Sequence, residues 1–194
     1  MTTKQKYLTA QSLRIALEDR LNRMSRDKNI DIMRLRRHVA FDRLLARLFS
    51  GHTKDLIVKG GYALELWINN ARTTKDIDIS FQGNLGGVWT GERSSDPKAL
   101  QDFLQNLVSL DTKDFFEFII GNAVLDLDNA PYGGYRFPVE ARMAGRILKH
   151  PTPAAQKRGR PVGLLRVLDS RAIVHAGNVG QSIPPQQKKN NRCL

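Results

Sequence analysis

The spacing of hydrophobic residues in the first fifty positions predicts two helices, at residues 10–25 and 30–50. In the second helix, apolar residues recur every three or four positions with arginines between them, which is typical of a helix that buries one face. These apolar residues are Ile32, Leu35, Val39, Phe41, Leu44, Leu45 and Leu48. Pro97, followed by the periodic run KALQDFLQNLVSL, predicts the start of a further helix, because proline is favoured in the first helical turn.

Short apolar or alternating runs predict four strands. LIVK and DIDISF form the first two strands, and FFEFIIG and YRFPVEARMAG form the others (residues 56–59, 76–81, 115–121 and 135–145). Pro138 in the last run argues for an edge position or a bulge, because proline has no N–H to donate. Between the first two strands, Gly60-Gly61 precede a short helix over YALELWIN, residues 62–69.

The composition changes at about residue 147, and this change divides the chain into two parts. Residues 148–194 are rich in Pro, Gly, Gln and Lys and lack apolar periodicity, so we expect a poorly ordered basic tail with at most one helix near 164–175. Residues 1–147 form the folded part, with N-terminal helices at 10–50 and a core at 51–147.

Several classes of protein are disfavoured by simple features. No apolar run approaches the roughly 18 residues of a membrane helix, and the charged N-terminus does not have the pattern of a secretory signal. The single cysteine, Cys193, rules out an internal disulfide framework. We therefore expect a cytoplasmic protein without a membrane partner. The four histidines show no zinc-ligand spacing.

The net charge of +12 is concentrated at the two ends of the chain. Residues 1–50 hold twelve Lys/Arg against five Asp/Glu, and residues 148–194 hold nine against one, whereas the middle is slightly acidic. This distribution suits an enzyme that acts on a polyanion, but a solvated basic helix with a basic tail fits equally well. In the same way, Arg34, Arg36 and Arg37 belong either to an RNA-binding surface or to a solvated helix face.

Asp76 and Asp78 are the strongest candidates for chemistry. Residues i and i+2 of a strand point to the same face, about 6.5 Å apart, so the two carboxylates lie side by side. Adjacent carboxylates repel each other and favour a bound cation, and hard oxygen ligands that leave room for phosphate suit Mg²⁺. The pair therefore predicts a magnesium site.

Gly60 and Gly61 predict the phosphate-binding half of the same site. Glycine lets the backbone approach a phosphate closely, and the start of the following helix presents N–H groups to negative charge. A short helix and a turn then return the chain to place DIDISF near LIVK. The sequence contains neither GxxxxGK[ST] nor GxGxxG, which excludes a P-loop and a dinucleotide-binding fingerprint.

The stretch LIVKGGYALELWINNARTTKDIDISF resembles the nucleotidyltransferase AbiEii/AbiGii toxin family, a branch of the DNA polymerase β-like nucleotidyltransferase superfamily. The family pattern is a strand ending in Lys-Gly-Gly or Gly-Ser, a short helix, and then Arg-x-Thr-x-Asp-hydrophobic-Asp. Here these positions are Lys59, Gly60, Gly61, Arg72, Thr74, Asp76 and Asp78. Flanking similarity extends over roughly residues 30 to 147.

The resemblance implies an α/β fold with a small mixed sheet and an Mg²⁺-dependent transfer of a nucleotide from an NTP to an acceptor such as tRNA. It also implies a toxin that a cognate antitoxin neutralises. Asp76 and Asp78 would then be catalytic metal ligands. The nucleotide would be bound by Lys59, Gly60, Gly61, Arg72, Thr74 and Lys75.

The chain departs from the family pattern after residue 147. The resemblance implies a further strand with a third catalytic acid, but Asp169 is the only acid after Glu140. Glu140, Asp126 and Asp128 are the candidates to replace this third acid. The change in composition favours a truncated or frameshifted C-terminus over a divergent one that still folds. Two other interpretations of the sequence remain open: a nucleic-acid-binding module without catalytic activity, and an inactive remnant of a toxin gene.

Overall fold

A computed structural model describes residues 7–50, 56–68, 73–81, 96–125, 134–147 and 163–168. Within these ranges the chain forms four helices and one seven-stranded sheet. The helices are α1 (Ala10–Lys28), α2 (Ile32–Leu48), α3 (Gly60–Trp67) and α4 (Pro97–Val108). The strands are β1 (Leu56–Lys59), β2 (Asp76–Phe81), β3 (Phe116–Ile120), β4 (Val124–Leu125), β5 (Gly134–Met143), β6 (Arg146–Ile147) and β7 (Gly163–Leu168).

The sheet is mixed, with the strand order β1-β2-β7-β5-β3. Strand β2 pairs with β1 in antiparallel and with β7 in parallel orientation, and β5 is antiparallel to β7 and β3. The short strands β4 and β6 also pair with β5. This architecture confirms the expected small mixed sheet with N-terminal helices.

Three of the helices begin at a residue whose side chain caps the first turn. Thr9 accepts a hydrogen bond from the Ser12 N–H, and Asp31 accepts from the second and third residues of α2. Asp96, the residue immediately before Pro97, accepts a hydrogen bond from the Lys98 N–H. Each cap satisfies a backbone donor that the helix itself leaves unpaired, which fixes where the helix begins.

One face of the sheet packs against α2 and α4 to form the core. Ile77 and Ile79 of β2 and Leu165 and Val167 of β7 are fully buried, and they share the core with apolar residues of the two helices. The helix residues of this core include Leu44, Leu48, Leu100 and Leu104. Because side chains alternate along a strand, Asp76 and Asp78 lie on the opposite face.

A buried ion pair fastens α2 to the start of β3. Arg47 is 2% exposed, and its guanidinium donates to the Asp114 carboxylate at 3.0 and 2.6 Å and to the Phe116 carbonyl at 2.9 Å. Burial alone would raise the pKa of Asp114. The hydrogen bonds from Arg47 and from the Phe116 N–H outweigh burial and hold that pKa below its ordinary value of 3.8.

Strand β7 corrects our expectation for the tail. Residues 163–168, which composition placed in a poorly ordered segment with at most a helix, form a strand between β2 and β5. Their sequence, GLLRVL, is rich in branched apolar residues and suits a strand covered by neighbours on both sides. The rest of 148–194 lies outside the described residues.

Pro138 lies in an interior strand, which corrects the expected edge position, but it lies beside a bulge, as expected. The β3–β5 pairing ends at Ile120 and Val139 and the β4–β5 pairing begins at Val124 and Arg136, so residues 121–123 face only residues 137–138 of β5. The Pro138 carbonyl accepts a hydrogen bond from the Gly121 N–H at 2.7 Å, at the point where β3 has just ended. In an antiparallel strand, the N and O atoms of one residue point to the same neighbour. The N–H that proline lacks therefore falls at the bulge, where the β3 pairing has ended and the β4 pairing has not yet begun.

Candidate nucleotide and metal site

The structure confirms the expected geometry of the acid pair. Asp76 and Asp78 lie on β2 with side chains on one face, about 6.5 Å apart by the strand rise. The alternate residues Ile77 and Ile79 are 1% and 0% exposed on the other face. The strict alternation of DIDISF therefore anchors the strand through its isoleucines and presents both carboxylates together.

Gly60 lies in direct contact with Asp78. A Cβ atom built on Gly60 would fall 2.0 Å from Asp78 Oδ2 and 3.0 Å from its Cγ, far inside van der Waals contact. Gly60 also has a φ of +64°, in the region that residues with a side chain rarely adopt. Two features therefore favour glycine at position 60: the backbone conformation there, and the Asp78 carboxylate that lies where a side chain would be.

Helix α3 begins at this contact, two residues earlier than the sequence predicted. Its N-cap residue, Lys59, makes no side-chain hydrogen bond to the first turn, in contrast to the caps of the other three described helices. The first-turn N–H groups and the positive end of the helix dipole are therefore directed at the region beside Asp78. This is the arrangement that favours an anion such as phosphate.

Thr74 lies two residues before the start of β2, and its side chain is hydrogen-bonded to Asp76, the first residue of that strand. Its hydroxyl accepts a hydrogen bond from the Asp76 N–H at 3.4 Å and donates to the Asp76 carbonyl at 3.3 Å. A Cβ on Gly61 would lie 3.3 Å from the Thr74 Cβ, so Gly61 allows Thr74 to approach the start of the helix. Lys75, between Thr74 and Asp76, is exposed, and Arg72 lies outside the described residues.

The sequence profile of one family matches this part of the chain. The profile of the nucleotidyl transferase AbiEii toxin of type IV toxin–antitoxin systems matches residues 43–157, which is more than half of the chain. The chain belongs to the AbiEii nucleotidyl transferase toxin family. Membership in this toxin–antitoxin family implies a cognate antitoxin as partner. No curated protein matches the chain.

The AbiEii match includes β1, α3 and β2, and hence the whole glycine and aspartate constellation. It also extends ten residues beyond position 147, the end of the folded part that the composition predicts. In the described portion of the chain, no helix is both long enough and apolar enough to cross a membrane.

The strand beside the acid pair carries no acid in this AbiEii chain. In the register of β2 and β7, Asp76 pairs with Leu164 and Asp78 pairs with Arg166. Glu140 lies on β5, which β7 separates from β2, and its Oε1 accepts a hydrogen bond from Arg142 Nε at 2.5 Å. Asp126 and Asp128 lie outside the described residues.

The acid pair fits a magnesium ion with two protein ligands. Asp76 and Asp78 offer hard carboxylate oxygens beside the start of α3, where phosphate oxygens and water can complete an octahedral shell. No cluster of three or more potential ligand side chains occurs among the residues that the structure describes. Magnesium commonly accepts such an arrangement, with one or two carboxylates and the remaining ligands from substrate and water.

The three basic residues considered for RNA binding all make contacts inside the chain. Arg36 forms a bidentate ion pair with Glu18 of α1, with contacts of 2.6 to 3.1 Å. Arg34 lies 3.1 Å from Glu65, and Arg37 donates to the Thr74 carbonyl at 3.2 Å. These side chains therefore connect α2 to α1 on one side and to the acid loop on the other, where the acid loop is residues 73–75, immediately before β2.

Glu65 is the residue near the site that sequence patterns missed. A glutamate inside the short run YALELW looks like an ordinary polar helix position, yet its side chain is only 2% exposed.

The aromatic residues of α3 also differ from one another. Tyr62 is buried and packs edge-on against Phe41 at 5.0 Å, whereas Trp67 is 91% exposed among the described residues.

Proposed function

We propose that this chain binds an Mg²⁺–nucleoside triphosphate complex at the junction of α3 and β2. The triphosphate contacts Gly60, Gly61 and the first turn of α3, and the metal lies on Asp76 and Asp78. Lys59, Thr74 and Lys75 surround the same junction, and Arg72 precedes it in sequence. The activity that follows is nucleotide transfer to an acceptor such as tRNA, by a cytoplasmic toxin held in check by its antitoxin.

The observation that carries this proposal is the contact between Gly60 and Asp78 Oδ2. It brings a carboxylate next to the start of a helix whose N-cap residue makes no side-chain hydrogen bond to the first turn, so a metal and a phosphate could be bound together. Each feature alone has an ordinary structural explanation. Their direct contact, in a chain of the AbiEii family, favours a nucleotide site over a simple turn.

The transfer step needs a base, and the two described strands that pair with β2 carry no acidic residue. The acceptor hydroxyl oxygen bonds to the α-phosphorus, the bond from that phosphorus to the bridging oxygen breaks, and pyrophosphate leaves. The hydroxyl proton must pass to a base. The positions of β7 next to the acid pair are Leu164 and Arg166. Without a positioned base, transfer loses roughly 10²–10⁴-fold in rate, so we propose binding with slow transfer.

A binding experiment tests the nucleotide site directly. Each labelled nucleoside triphosphate is titrated with and without Mg²⁺ into the native chain and into the Asp76→Ala/Asp78→Ala variant. The expected result is Mg²⁺-dependent binding that the variant loses. Binding that is unaffected by Mg²⁺ or by the double substitution would overturn the proposed site. RNA binding without nucleotide binding would favour a non-catalytic nucleic-acid-binding module.

A transfer assay tests the second part of the proposal. The native chain is incubated with Mg²⁺, each labelled nucleoside triphosphate and total tRNA, with the same double variant as control. Slow or undetectable labelling is expected. Rapid labelling that the variant loses would show that another residue of the chain supplies the base.

A further inference from the structure

Glu65 is the buried centre of a polar cluster that joins α2, α3 and the segment before the acid strand, and its side-chain partners Arg34 and His38 are about one third exposed. Its Oε1 lies 3.1 Å from Arg34 Nη2 in an ion pair and is hydrogen-bonded to His38 Nε2 at 2.8 Å. Its Oε2 accepts from the Thr74 backbone N–H at 3.1 Å. One carboxylate thus holds two side chains of α2 and one main-chain donor of the acid loop.

Thr74, whose backbone N–H donates to Glu65, is also bound at its backbone carbonyl. The Thr74 carbonyl accepts a hydrogen bond from Arg37 Nη1 at 3.2 Å, so both backbone polar groups of Thr74 are bound by side chains. The Thr74 hydroxyl in turn exchanges hydrogen bonds with the backbone of Asp76. The position of Asp76 therefore depends on α2 through Thr74.

Burial makes this cluster energetically demanding. A carboxylate that is 2% exposed loses most of its hydration, and such a group persists only where cations and donors satisfy it. An apolar residue at position 65 would fill the same space without that desolvation penalty. Such a residue would leave the Thr74 N–H without its acceptor. The feature that only a carboxylate provides is simultaneous contact with α2 and the acid loop.

We propose that Glu65 is a positioning residue for the metal-binding pair, acting with Arg37 through Thr74. The two side chains clamp the backbone of Thr74, which fixes Asp76 at the start of β2 and keeps both carboxylates beside the first turn of α3. The effect on nucleotide affinity rests on the proposed function, whereas the clamp itself does not.

Amide hydrogen exchange tests the clamp without any ligand. In Glu65→Gln, the Thr74 amide is expected to exchange roughly tenfold faster than in the native chain, because its charged acceptor is lost. Glu18→Gln is the matched control, since Glu18 also pairs with an arginine of α2, but away from the acid loop. Thr74 exchange should be unchanged in that control. Equal acceleration in both variants, or none in Glu65→Gln, would overturn the clamp.

Arg37→Gln provides a second variant that leaves the buried carboxylate and its partners intact. It removes the contact to the Thr74 carbonyl, so it is expected to weaken Mg²⁺-dependent triphosphate binding in the same direction as Glu65→Gln, by roughly tenfold. Binding measured without Mg²⁺ should change little, because the clamp acts on the metal ligands. A structural loss alone would lower both equally.

The outcomes separate the two proposals. Absence of Mg²⁺-dependent binding in the native chain would overturn the proposed function, while the exchange result would still decide whether Glu65 clamps Thr74. Native binding with an unchanged Kd in both Glu65→Gln and Arg37→Gln would overturn the positioning role and leave the proposed function intact.

Discussion

The carboxylate of Asp78 lies against the α-carbon of Gly60, in the space that any side chain at position 60 would occupy. The contact joins the third residue of β2 to the first residue of α3, so the acid strand and the start of the helix have a fixed relative position. This single relationship ties the two glycines to the two aspartates.

Gly60→Ala is therefore expected to abolish Mg²⁺-dependent nucleotide binding. The new Cβ would lie 2.0 Å from Asp78 Oδ2, so either the carboxylate or the start of α3 must move. Gly145→Ala is the matched control, because Gly145 has a φ of +67° but no described atom within 4 Å of the corresponding Cβ. Both variants should lose about 1 kcal/mol of stability or somewhat more from the backbone conformation alone.

Isothermal titration with Mg²⁺ and a nucleoside triphosphate, together with urea unfolding, checks this prediction. Only Gly60→Ala should lose binding. If both alanine variants bound as tightly as the native chain, the contact would have no role in the site.

Arg47→Met is expected to destabilise the fold strongly. The substitution keeps most of the apolar stem but leaves the Asp114 carboxylate without its buried partner, at a cost of about 3–5 kcal/mol. The pKa of Asp114 should rise at the same time, because the hydrogen bond that holds it low is lost. Urea unfolding measures the first effect, and carboxyl NMR titration measures the second.

Arg23→Met is the control for this comparison, because Arg23 and Asp19 form an exposed pair with side chains 65% and 59% accessible. Its free energy of unfolding should change by less than about 1 kcal/mol. Equal destabilisation in the two variants would show that burial of Arg47 does not decide the energetics.

Tyr62 is expected to ionise later than an ordinary tyrosine. Burial, together with the negative charges of Asp42 and Glu65, raises the pKa of Tyr62 from 10.0 to about 12. A pKa that is higher in the folded than in the unfolded chain contributes stability below pH 10, and that contribution is lost as the pH rises towards 12. An absorbance titration of tyrosinate should therefore contain one late phase.

Tyr62→Phe should remove the late phase and flatten the decline of stability in the same pH range. A late phase that persists in this variant would assign it to another of the four tyrosines.

Arg166→Asp is expected to increase nucleotide transfer. Position 166 pairs with Asp78 in the register of β2 and β7, so an acid there would be the register neighbour of the acid pair. A third carboxylate would supply a base or a metal ligand, worth up to roughly 10²–10⁴-fold in rate. Arg166→Asn is the control, because it removes the cation without adding an acid. Equal transfer by the Asp and Asn variants would refute the explanation.

The sequence predicted the local elements well, because local spacing encodes them. The periodic residues of α2, the Asp96-Pro97 start of α4 and the alternation of DIDISF each specify an element within a few residues. The residue types of the candidate site were also evident, because glycine favours the backbone conformation at position 60 and neighbouring carboxylates attract a hard cation. The family resemblance then supplied the mixed sheet.

Long-range pairing decided what the sequence left open. GLLRVL carries no signal that it belongs between β2 and β5, because its neighbours lie more than twenty residues away along the chain and strand order is set by the whole sheet. Pro138 indicated a bulge from the sequence alone, but only the pairing of β5 with β3 and β4 shows that this bulge lies inside the sheet and not at its edge.

What the sequence by itself determined is thus the set of helices and most strands, the glycine turn and the acid pair, all of which depend on residues near one another in the chain. Only the tertiary structure decided that Glu65 is buried, that the arginines of α2 bind inside the protein, and that Leu164 and Arg166 flank the acids. Burial and ion pairing depend on which distant segments meet, and hydrophobic periodicity along the chain carries no information about that.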